Sequence, residues 1–279
     1  MRVPGDGRDL EAAPNTTTAC RTARRVAALY DVHGNLPALE AAIARAEAAC
    51  ADCFVIGGDI ALGPMPREVL DRLEQLGPRV RYLRGNCDRV MVDAFDGRPI
   101  PSVPPAVRDT VTWAAAQLAR RHRDFLAALP TTITVDVEGI GTVLFCHATP
   151  RSDEEIFTVR TPDERLRPMF SSCRESVVVC GHTHMQFDRR LDDARIVNAG
   201  SVGMPFGRNG AFWLLLGPRI ELERTDYDVQ RAASLIERTS YPRADEFAAR
   251  CVLQPPSEEE TLALFEAATR AGNARSESA

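Results

Sequence analysis

Tyr30-Asp31-Val32-His33-Gly34-Asn35 is the stretch around which the rest of this chain is organised. The apolar run Val26–Leu29 before it is typical of a short buried strand, and Pro37 after it is a favoured first residue of a helix. In an extended backbone, side chains two positions apart point to the same side, so Asp31 and His33 could bind one cation. The same spacing also occurs in solvated loops, and the rest of the chain has to decide between the two interpretations.

Apolar runs alternate with helical patterns through the first third of the chain. Strands are predicted at residues 26–30, 53–56 and 80–83, with helices between them at residues 37–50 and 66–76. This alternation indicates right-handed crossovers and a mostly parallel sheet. Ligands of such sheets bind outside the carboxyl ends of the strands.

The pattern changes after residue 96. A Pro-rich irregular segment leads into one helical stretch at residues 107–129, and a β-hairpin follows at residues 132–146. A helix at residues 162–170 precedes a strand at residues 176–180. Four short strands separated by turns then indicate an antiparallel sheet, at residues 186–190, 195–198, 211–216 and 219–224. Three C-terminal helices are predicted at residues 228–238, 243–251 and 258–271. The expected fold class is α/β, with two facing sheets and helices on their outer sides.

The chain length of 279 residues allows one large domain or two small ones. Residues 1–24 mix Pro, Gly, Thr and charges without periodicity, which predicts a disordered N-terminal extension. We expect one domain over residues 25–252, followed by a C-terminal helix and a fraying tail at residues 253–279.

Composition narrows the range of functions. With 44% hydrophobic and 26% charged residues the chain is typical of soluble globular proteins, and its net charge of -5 argues against a broad nucleic-acid interface. All 34 basic residues are Arg, which removes Schiff-base lysine chemistry and the lysine-dependent P-loop. No segment has the pattern of a membrane span or a signal peptide, so a cytoplasmic location is expected. The eight scattered Cys favour reduced thiols over a disulfide framework.

Side chains that can bind a metal follow the predicted strands. Beyond the opening stretch, these candidate ligands are Asp59, Asn86, His147, His182 and His184. Four of the five His of the chain lie in these loops, which random placement would seldom produce. Gly58, Gly85 and Gly181 come just before candidate ligands and suit tight turns in which the backbone approaches an ion. The fifth histidine, His122, lies in an Arg-rich helical run and is expected on a solvated face.

The ligand types favour certain metals. Asp, His and Asn together provide a mixed oxygen and nitrogen environment that suits Mn, Fe, Zn or Ni, whereas a structural zinc site would use mainly thiolates. Seven candidate ligands are too many for one tetrahedral ion. They match two octahedral ions that share a bridging carboxylate and keep positions open for water and substrate.

These motifs, in their order along the chain, resemble those of the calcineurin-like metallophosphoesterases, and specifically their compact bacterial and archaeal phosphodiesterase branch. The motifs are Asp31-Val32-His33-Gly34-Asn35, Gly58-Asp59, Gly85-Asn86-Cys87-Asp88, Cys146-His147 and Gly181-His182-Thr183-His184, and the resemblance covers residues 25–226. It implies a four-layer α-β-β-α sandwich of two mixed sheets flanked by helices, with a dinuclear metal centre for which manganese is favoured over iron, nickel or zinc.

The resemblance also implies the role of each ligand. Asp31, His33 and His184 would hold the first ion, Asp59 would bridge, and Asn86, His147 and His182 would hold the second. Asp59, Asn86 and His147 would act in catalysis through the metals and their charge. A hydroxide that bridges the two ions would then attack phosphorus in line with the leaving group. The segment Gly200-Ser201-Val202-Gly203 resembles the family's closing loop, with backbone contacts in place of ligation.

Two positions depart from the family pattern. Many phosphomonoesterase relatives carry a general-acid His where this chain has Cys87, followed by Asp88 as a further catalytic candidate. A thiol protonates an alkoxide poorly at neutral pH, so phosphodiesters or activated esters are favoured over alkyl monoesters. Tyr30 stands where the family usually has a small residue, and its ring could complete the core or crowd the first metal.

Several alternatives remain open from the sequence. One of Arg151 and Arg160, with Arg151 preferred, could bind the non-scissile phosphate of a small phosphoester or nucleotide substrate, although a surface position is the commoner outcome for such residues. The same site could serve a phosphomonoesterase acting on a phosphoprotein or nucleotide. A non-catalytic interaction scaffold of the same fold is disfavoured because all seven ligands are present. Apolar faces of the antiparallel half and the C-terminal helices could pack internally or form a homo-oligomer.

Overall fold

The computed structural model describes residues 22–276 of the chain, and the side chains of residues 22–267. Two mixed β-sheets face each other and helices cover their outer sides, so the expected four-layer α/β sandwich is confirmed. Within residues 22–276, no helix combines the length and the apolar character needed to cross a bilayer.

Strands and helices alternate in the first third of the described chain and follow a mixed order afterwards. In chain order, the strands are β1 (Thr22–Ala23), β2 (Val26–Leu29), β3 (Cys53–Ile56), β4 (Val80–Tyr82), β5 (Thr132–Val137), β6 (Gly141–Cys146), β7 (Val177–Cys180), β8 (Phe187–Leu191), β9 (Ala194–Asn198), β10 (Ala211–Leu216) and β11 (Ile220–Thr225). The α-helices are α1 (Leu36–Ala48), α2 (Pro66–Glu74), α3 (Asn86–Phe95), α4 (Arg108–Ala116), α5 (Arg120–Ala127), α6 (Asp163–Phe170), α7 (Val229–Glu237), α8 (Ala244–Phe247), which continues as a π-helix over Ala248–Leu253, and α9 (Glu258–Ser276). Two 3-10 turns, Gly77–Arg79 and Pro105–Val107, precede β4 and α4.

The strands form two sheets. One has the order β11-β10-β2-β3-β4, in which β2, β3 and β4 are parallel as the alternating pattern predicts. The other has the order β1-β5-β6-β7-β9-β8, in which β6, β7 and β9 are parallel. The four short strands of the second half therefore do not form one antiparallel sheet. Strands β8 and β9 extend the second sheet, whereas β10 and β11 extend the first.

Alternation along the central strands creates the three apolar layers between the four structural layers. In β2, Ala28 packs between the two sheets, while Ala27 and Leu29 pack against the helices outside the first sheet. In β7, Val179 packs between the sheets and Val178 faces the layer covered by α6. Both faces of these strands are buried, which explains why they read as continuous apolar runs in the sequence.

The helical stretch predicted at residues 107–129 is two helices, because a side chain caps the second one. The Ala119 backbone has an extended conformation, and its N–H donates to Nδ1 of His122 at 3.2 Å. His122 is only 5% exposed, and its Nε2 lies 3.2 Å from Oδ1 of Asp71. The expectation that His122 lies on a solvated face is therefore wrong. Helix α3, which carries Asn86 as its first residue, was not among the predicted helices.

The first strand of the described residues lies before the predicted boundary at residue 25. Strand β1 pairs in parallel with β5 at the edge of the second sheet, so Thr22 and Ala23 are not part of a disordered extension. The rest of the predicted extension, residues 1–21, and the last residues of the predicted tail, 277–279, lie outside the described residues.

Candidate metal centre

The candidate ligands meet at the carboxyl ends of strands from both sheets. Three sets of side chains offer ligand atoms that lie within 4.8 Å of one another: Asp31, His33 and His184; His33, Asp59 and Cys87; and Asp59, His147 and His182. Because His33 and Asp59 each belong to two sets, the three sets form one continuous cluster. The Oδ1 atom of Asn86 lies 3.1 Å from Nε2 of His147 and joins the cluster at that end. All seven predicted ligands are thus brought together.

The backbone of the ligand loops is left-handed at most of these positions. The residues with positive φ include Asp31, His33, Asp59, His182 and His184, with values between 47 and 66°. The extended backbone expected for Asp31 and His33 is therefore wrong, although both side chains still reach the cluster. Asp and His tolerate this region better than most residues, but each costs about 1–3 kcal/mol and needs support from neighbouring structure.

Hydrogen bonds between neighbouring loops provide that support. The N–H of Asp31 donates to the carbonyl of Gly58 at 3.2 Å, and the N–H of His33 donates to the carbonyl of Asp59 at 2.9 Å. The Ser201 hydroxyl donates to the Asp31 carbonyl at 2.8 Å, which gives the predicted closing loop its backbone contact. The first and second ligand loops are therefore held together independently of any bound ion.

Close backbone approach explains two of the predicted glycines. A Cβ atom on Gly85 would lie 2.1 Å from Oδ1 of Asp59, and one on Gly58 would lie 2.4 Å from the backbone nitrogen of Gly85. A side chain on Gly85 would push Asp59 away from its place between the ligand sets, and one on Gly58 would push away the loop that carries Gly85. The loops after β3 and β4 can therefore meet only through these glycines.

Three of the histidine rings are oriented by carbonyl groups. Nδ1 of His33 lies 3.3 Å from the Leu62 carbonyl, Nδ1 of His147 lies 2.9 Å from that of Gly57, and Nδ1 of His184 lies 2.8 Å from that of Met204. Carbonyl oxygens only accept, so Nδ1 carries the proton and Nε2 is left to bind a cation. Nε2 atoms of His33 and His184 face each other at 3.2 Å.

The buried carboxylates of the cluster favour the binding of positive charge. Asp31 and Asp59 are both buried, and Oδ1 of Asp31 accepts no hydrogen bond. Burial alone would lower the pKa of His147, but the charges of Asp59 and then Asp31 outweigh burial and raise this pKa to about 10. Burial and then the charge of His147 lower the pKa of His182 to about 4. Two buried carboxylates with an unpartnered oxygen, surrounded by imidazoles, fit the binding of divalent cations.

Asp88 has a different place from the other candidates. It is fully buried behind the cluster, and its carboxylate accepts from the N–H groups of Asp59, Ile60 and Gly85, each at 2.9 Å. These bonds tie the turn that carries Asp59 to the start of α3. These contacts are those of a positioning residue, and the catalytic role of Asp88 stays a prediction.

Cys87 and Tyr30, the two departures, also have defined surroundings. The N–H of Cys87 donates to Oδ1 of Asp59 at 2.8 Å, and burial, followed by the charge of Asp59, raises the pKa of the Cys87 thiol well above its usual value. Cys87, which shares a ligand set with His33 and Asp59, is therefore a neutral thiol within the cluster. The Tyr30 ring lies in the apolar layer between the sheets, and its hydroxyl donates to the Val179 carbonyl at 3.1 Å. Tyr30 completes the core.

The two Arg candidates for substrate binding lie in different surroundings. Arg151 lies beside His147 at a cavity next to the cluster, where its guanidinium bonds Glu155. Arg160 forms an ion pair with Glu259 on α9.

Sequence reasoning missed an aromatic contact of the cluster. Phe206 stacks on the His184 ring with centroids 5.5 Å apart and an interplanar angle of 21°. Phe265 of α9 packs against the edge of Phe206, with centroids 6.3 Å apart. In the sequence, the only indication of this contact was that an aromatic residue, Phe206, follows the closing loop. Its partner Phe265 lies on a helix that begins more than fifty residues later.

Comparisons with known proteins show the family and agree with the fold. The family model for the calcineurin-like phosphoesterase superfamily domain matches residues 25–216. Among solved structures, a hypothetical protein from Pyrococcus horikoshii OT3 aligns with a TM-score of 0.71 at 21% identity, covering 85% of this chain and 100% of that one. A metallophosphoesterase from Sphaerobacter thermophilus aligns with a TM-score of 0.65 at 25% identity, covering 82% of this chain and 98% of that one. No curated protein sequence matches this chain.

Proposed function

Because this chain belongs to the calcineurin-like phosphoesterase superfamily, which indicates a metal-dependent phosphoester hydrolase, we propose that it hydrolyses phosphodiesters at a dinuclear metal centre. The observation that carries this proposal is the continuous buried cluster in which Asp59 belongs to two ligand sets and Oδ1 of Asp31 has no hydrogen-bond donor.

The ligands divide between two cations. Asp31, His33 and His184 would hold one cation, Asp59 would bridge, and Asn86, His147 and His182 would hold the other. Manganese is favoured for this set of oxygen and imidazole donors, and iron, nickel and zinc are the competing outcomes of a metal analysis. When bound, two divalent cations lower the pKa of a water molecule towards neutrality and neutralise charge on the phosphoryl oxygens.

The residues of the chain supply orientation and a dry, fixed environment. The carbonyls bound to Nδ1 of His33, His147 and His184 hold each ring with Nε2 directed into the cluster. Asn86 and His147 lie side by side, so together they define the position of a substrate oxygen at that end of the cluster. Their catalytic contribution, like that of Asp59, is electrostatic.

The preference for diesters over monoesters is inferred from Cys87. Cys87 occupies the sequence position at which many phosphomonoesterase relatives carry a general-acid His, and a thiol with a raised pKa protonates a departing alkoxide poorly. Substrates whose leaving group needs little protonation should therefore react faster. We propose that turnover of bis(4-nitrophenyl) phosphate exceeds that of 4-nitrophenyl phosphate under each metal. A strong preference for the monoester would establish a phosphomonoesterase instead.

Asp59→Asn tests the bridging role. Elemental analysis of purified protein should find close to two metal ions per wild-type chain and fewer in Asp59→Asn, with hydrolysis of the diester lost in parallel. Asp192→Asn is the matched control, because Asp192 has a similar φ of 52° in the exposed turn between β8 and β9. Full metal content and full activity in Asp59→Asn would refute the bridge. A metal-replete wild type that hydrolyses no ester would favour the interaction scaffold.

A further inference from the structure

A cavity of about 230 Å³ opens directly beside the candidate metal centre. His147 lines it, and three arginines, Arg84, Arg89 and Arg151, contribute to its walls. Pockets that enclose a whole drug-sized ligand measure about 300–1,000 Å³, so this cavity is suited to one part of a larger ligand. The part of the ligand that it receives would be adjacent to whatever group lies against His147.

The three arginines differ in what they already bind. Arg89 donates through Nε and Nη2 to Asp153 at 3.0 and 3.2 Å, and Nη2 also bonds Glu154. Arg151 bonds Glu155 and the carbonyl of Pro168. Each of these two charges is therefore balanced by neighbouring carboxylates.

Arg84 is not balanced in this way. Its Nε is buried and has no hydrogen-bond partner, and no carboxylate among residues 22–267 forms an ion pair with its guanidinium. Its backbone is fixed by a 2.8 Å bond from its N–H to the carbonyl of Pro130, and it lies two residues before Asn86. Because Arg84 lines the cavity and no carboxylate among these residues balances its guanidinium, its charge is available to an anionic ligand there. Guanidinium groups match phosphate oxygens through paired N–H donors.

We propose that Arg84 anchors a second phosphate of the substrate, joined through a bridging oxygen to the phosphate that is attacked. This inference rests on the proposed phosphoesterase function and adds phosphoanhydrides, such as nucleoside diphosphates, to the substrates of the same site. In the reaction, the oxygen of water bonds to the attacked phosphorus and the bond from that phosphorus to the bridging oxygen breaks. The bridging oxygen keeps the electron pair and leaves with the phosphate at Arg84, and the protons of water pass to the product phosphates or to solvent.

A departing phosphate needs little protonation, unlike an alkoxide, so this reaction requires no general acid at the bridging oxygen. The positive charge of Arg84 stabilises the negative charge that develops on that oxygen.

Arg84→Gln tests the proposal with two substrates. Adenosine 5′-diphosphate carries the second phosphate, and bis(4-nitrophenyl) phosphate does not. Removing a charged hydrogen-bond partner should lower kcat/KM for the diphosphate about 10- to 100-fold more than for the diester. The inhibition constant of α,β-methylene adenosine diphosphate against diester hydrolysis should rise by a similar factor. Arg190→Gln, on an exposed position of β8, is the matched control and should change neither ratio.

The outcomes separate this inference from the proposed function. The role of Arg84 is overturned if Arg84→Gln lowers kcat/KM equally for both substrates or for neither. It is also overturned if the wild type cleaves the diester but neither binds nor cleaves the diphosphate. In each of these cases the proposed phosphodiesterase function stands. If the diester is not cleaved at all, the proposed function fails, and calorimetric binding of the methylene analogue to metal-loaded wild type and Arg84→Gln still decides the subsite. If Arg84→Gln does not fold, Arg84→Lys keeps the charge but not the paired donors and should show a smaller loss of the same selectivity.

Discussion

Replacing Asp88 by Asn distinguishes a positioning role from proton transfer beside the candidate metal centre. In the wild type, Oδ2 of Asp88 accepts from the N–H groups of Asp59 and Gly85, and Oδ1 accepts from that of Ile60. An amide has only one acceptor oxygen. Whichever way the Asn side chain turns, at least one of the three N–H groups loses its acceptor and faces an NH₂ group.

The expected cost follows from this count. A buried donor left without an acceptor costs about 1–3 kcal/mol. For a domain of this size, each kcal/mol lowers Tm by about 2–4 °C, so Asp88→Asn should melt about 2–12 °C below the wild type. The lost bonds hold the turns that carry Asp59 and Asn86, and metal content should therefore fall together with Tm. Added metal should restore part of the diester hydrolysis.

Calorimetry, elemental analysis and diester turnover on the same preparations test this reasoning. Asp228→Asn is the matched control: Asp228 caps α7 by accepting from the N–H of Arg231 at 2.9 Å, and Asn is an equally good cap. Its Tm and metal content should be unchanged. If Asp88→Asn melts like the wild type and binds the full complement of metal, yet has lost its activity, Asp88 acts in proton transfer and the positioning role is refuted.

Two further predictions concern Cys87 and His122. Cys87→His replaces the thiol by an imidazole, and hydrolysis of alkyl phosphomonoesters should then rise at least tenfold relative to that of diesters. The reason is that a positioned general acid contributes about 10²–10⁴-fold to the rate. An unchanged ratio of the two rates would show that leaving-group protonation does not set the substrate preference. Burial and then the charge of Arg121, with Arg67 also facing the ring, lower the pKa of His122 against the opposing effect of Asp71, so the folded state favours the neutral ring that accepts from Ala119. The unfolded state then binds more protons than the folded state below about pH 6.5. Acidification from about pH 7 to 5 should therefore lower the Tm of the wild type more than that of His122→Asn. Equal changes of Tm with pH in the two proteins would contradict this.

The sequence was sufficient to predict that the candidate ligands lie together, because their positions depend on strand ends. Asp59, His147 and His182 follow apolar runs that are buried on both faces, and parallel strands bring such positions to one edge. The left-handed backbone at these residues was not predictable in the same way. Asp and His also adopt extended conformations, and here the choice is made by hydrogen bonds from loops that are distant in sequence.

The buried surroundings of His122 and Asp88 were not predictable from residue type. Each side chain accepts hydrogen bonds from backbone N–H groups, at Ala119 for His122 and at Asp59, Ile60 and Gly85 for Asp88. A polar residue in an Arg-rich run is usually solvated, and an acid near a ligand suggests catalysis, so residue type alone indicates neither set of contacts. Only the fold shows which donors need an acceptor.

Tyr30 shows how the two sheets are adjusted to each other at the metal centre. A Cβ atom on Gly57 would lie 2.1 Å from the Tyr30 ring, and one on Gly181 would lie 2.5 Å from it. Gly57 precedes Gly58-Asp59 in the first sheet and Gly181 precedes His182 in the second, so the ring fills the space that both ligand loops leave open. Its hydroxyl then bonds the carbonyl of Val179 in the strand that leads to His182. A large residue at position 30 is therefore compatible with the ligand geometry because two glycines, one in each sheet, accommodate it, and the relation between those three positions exists only in the folded chain.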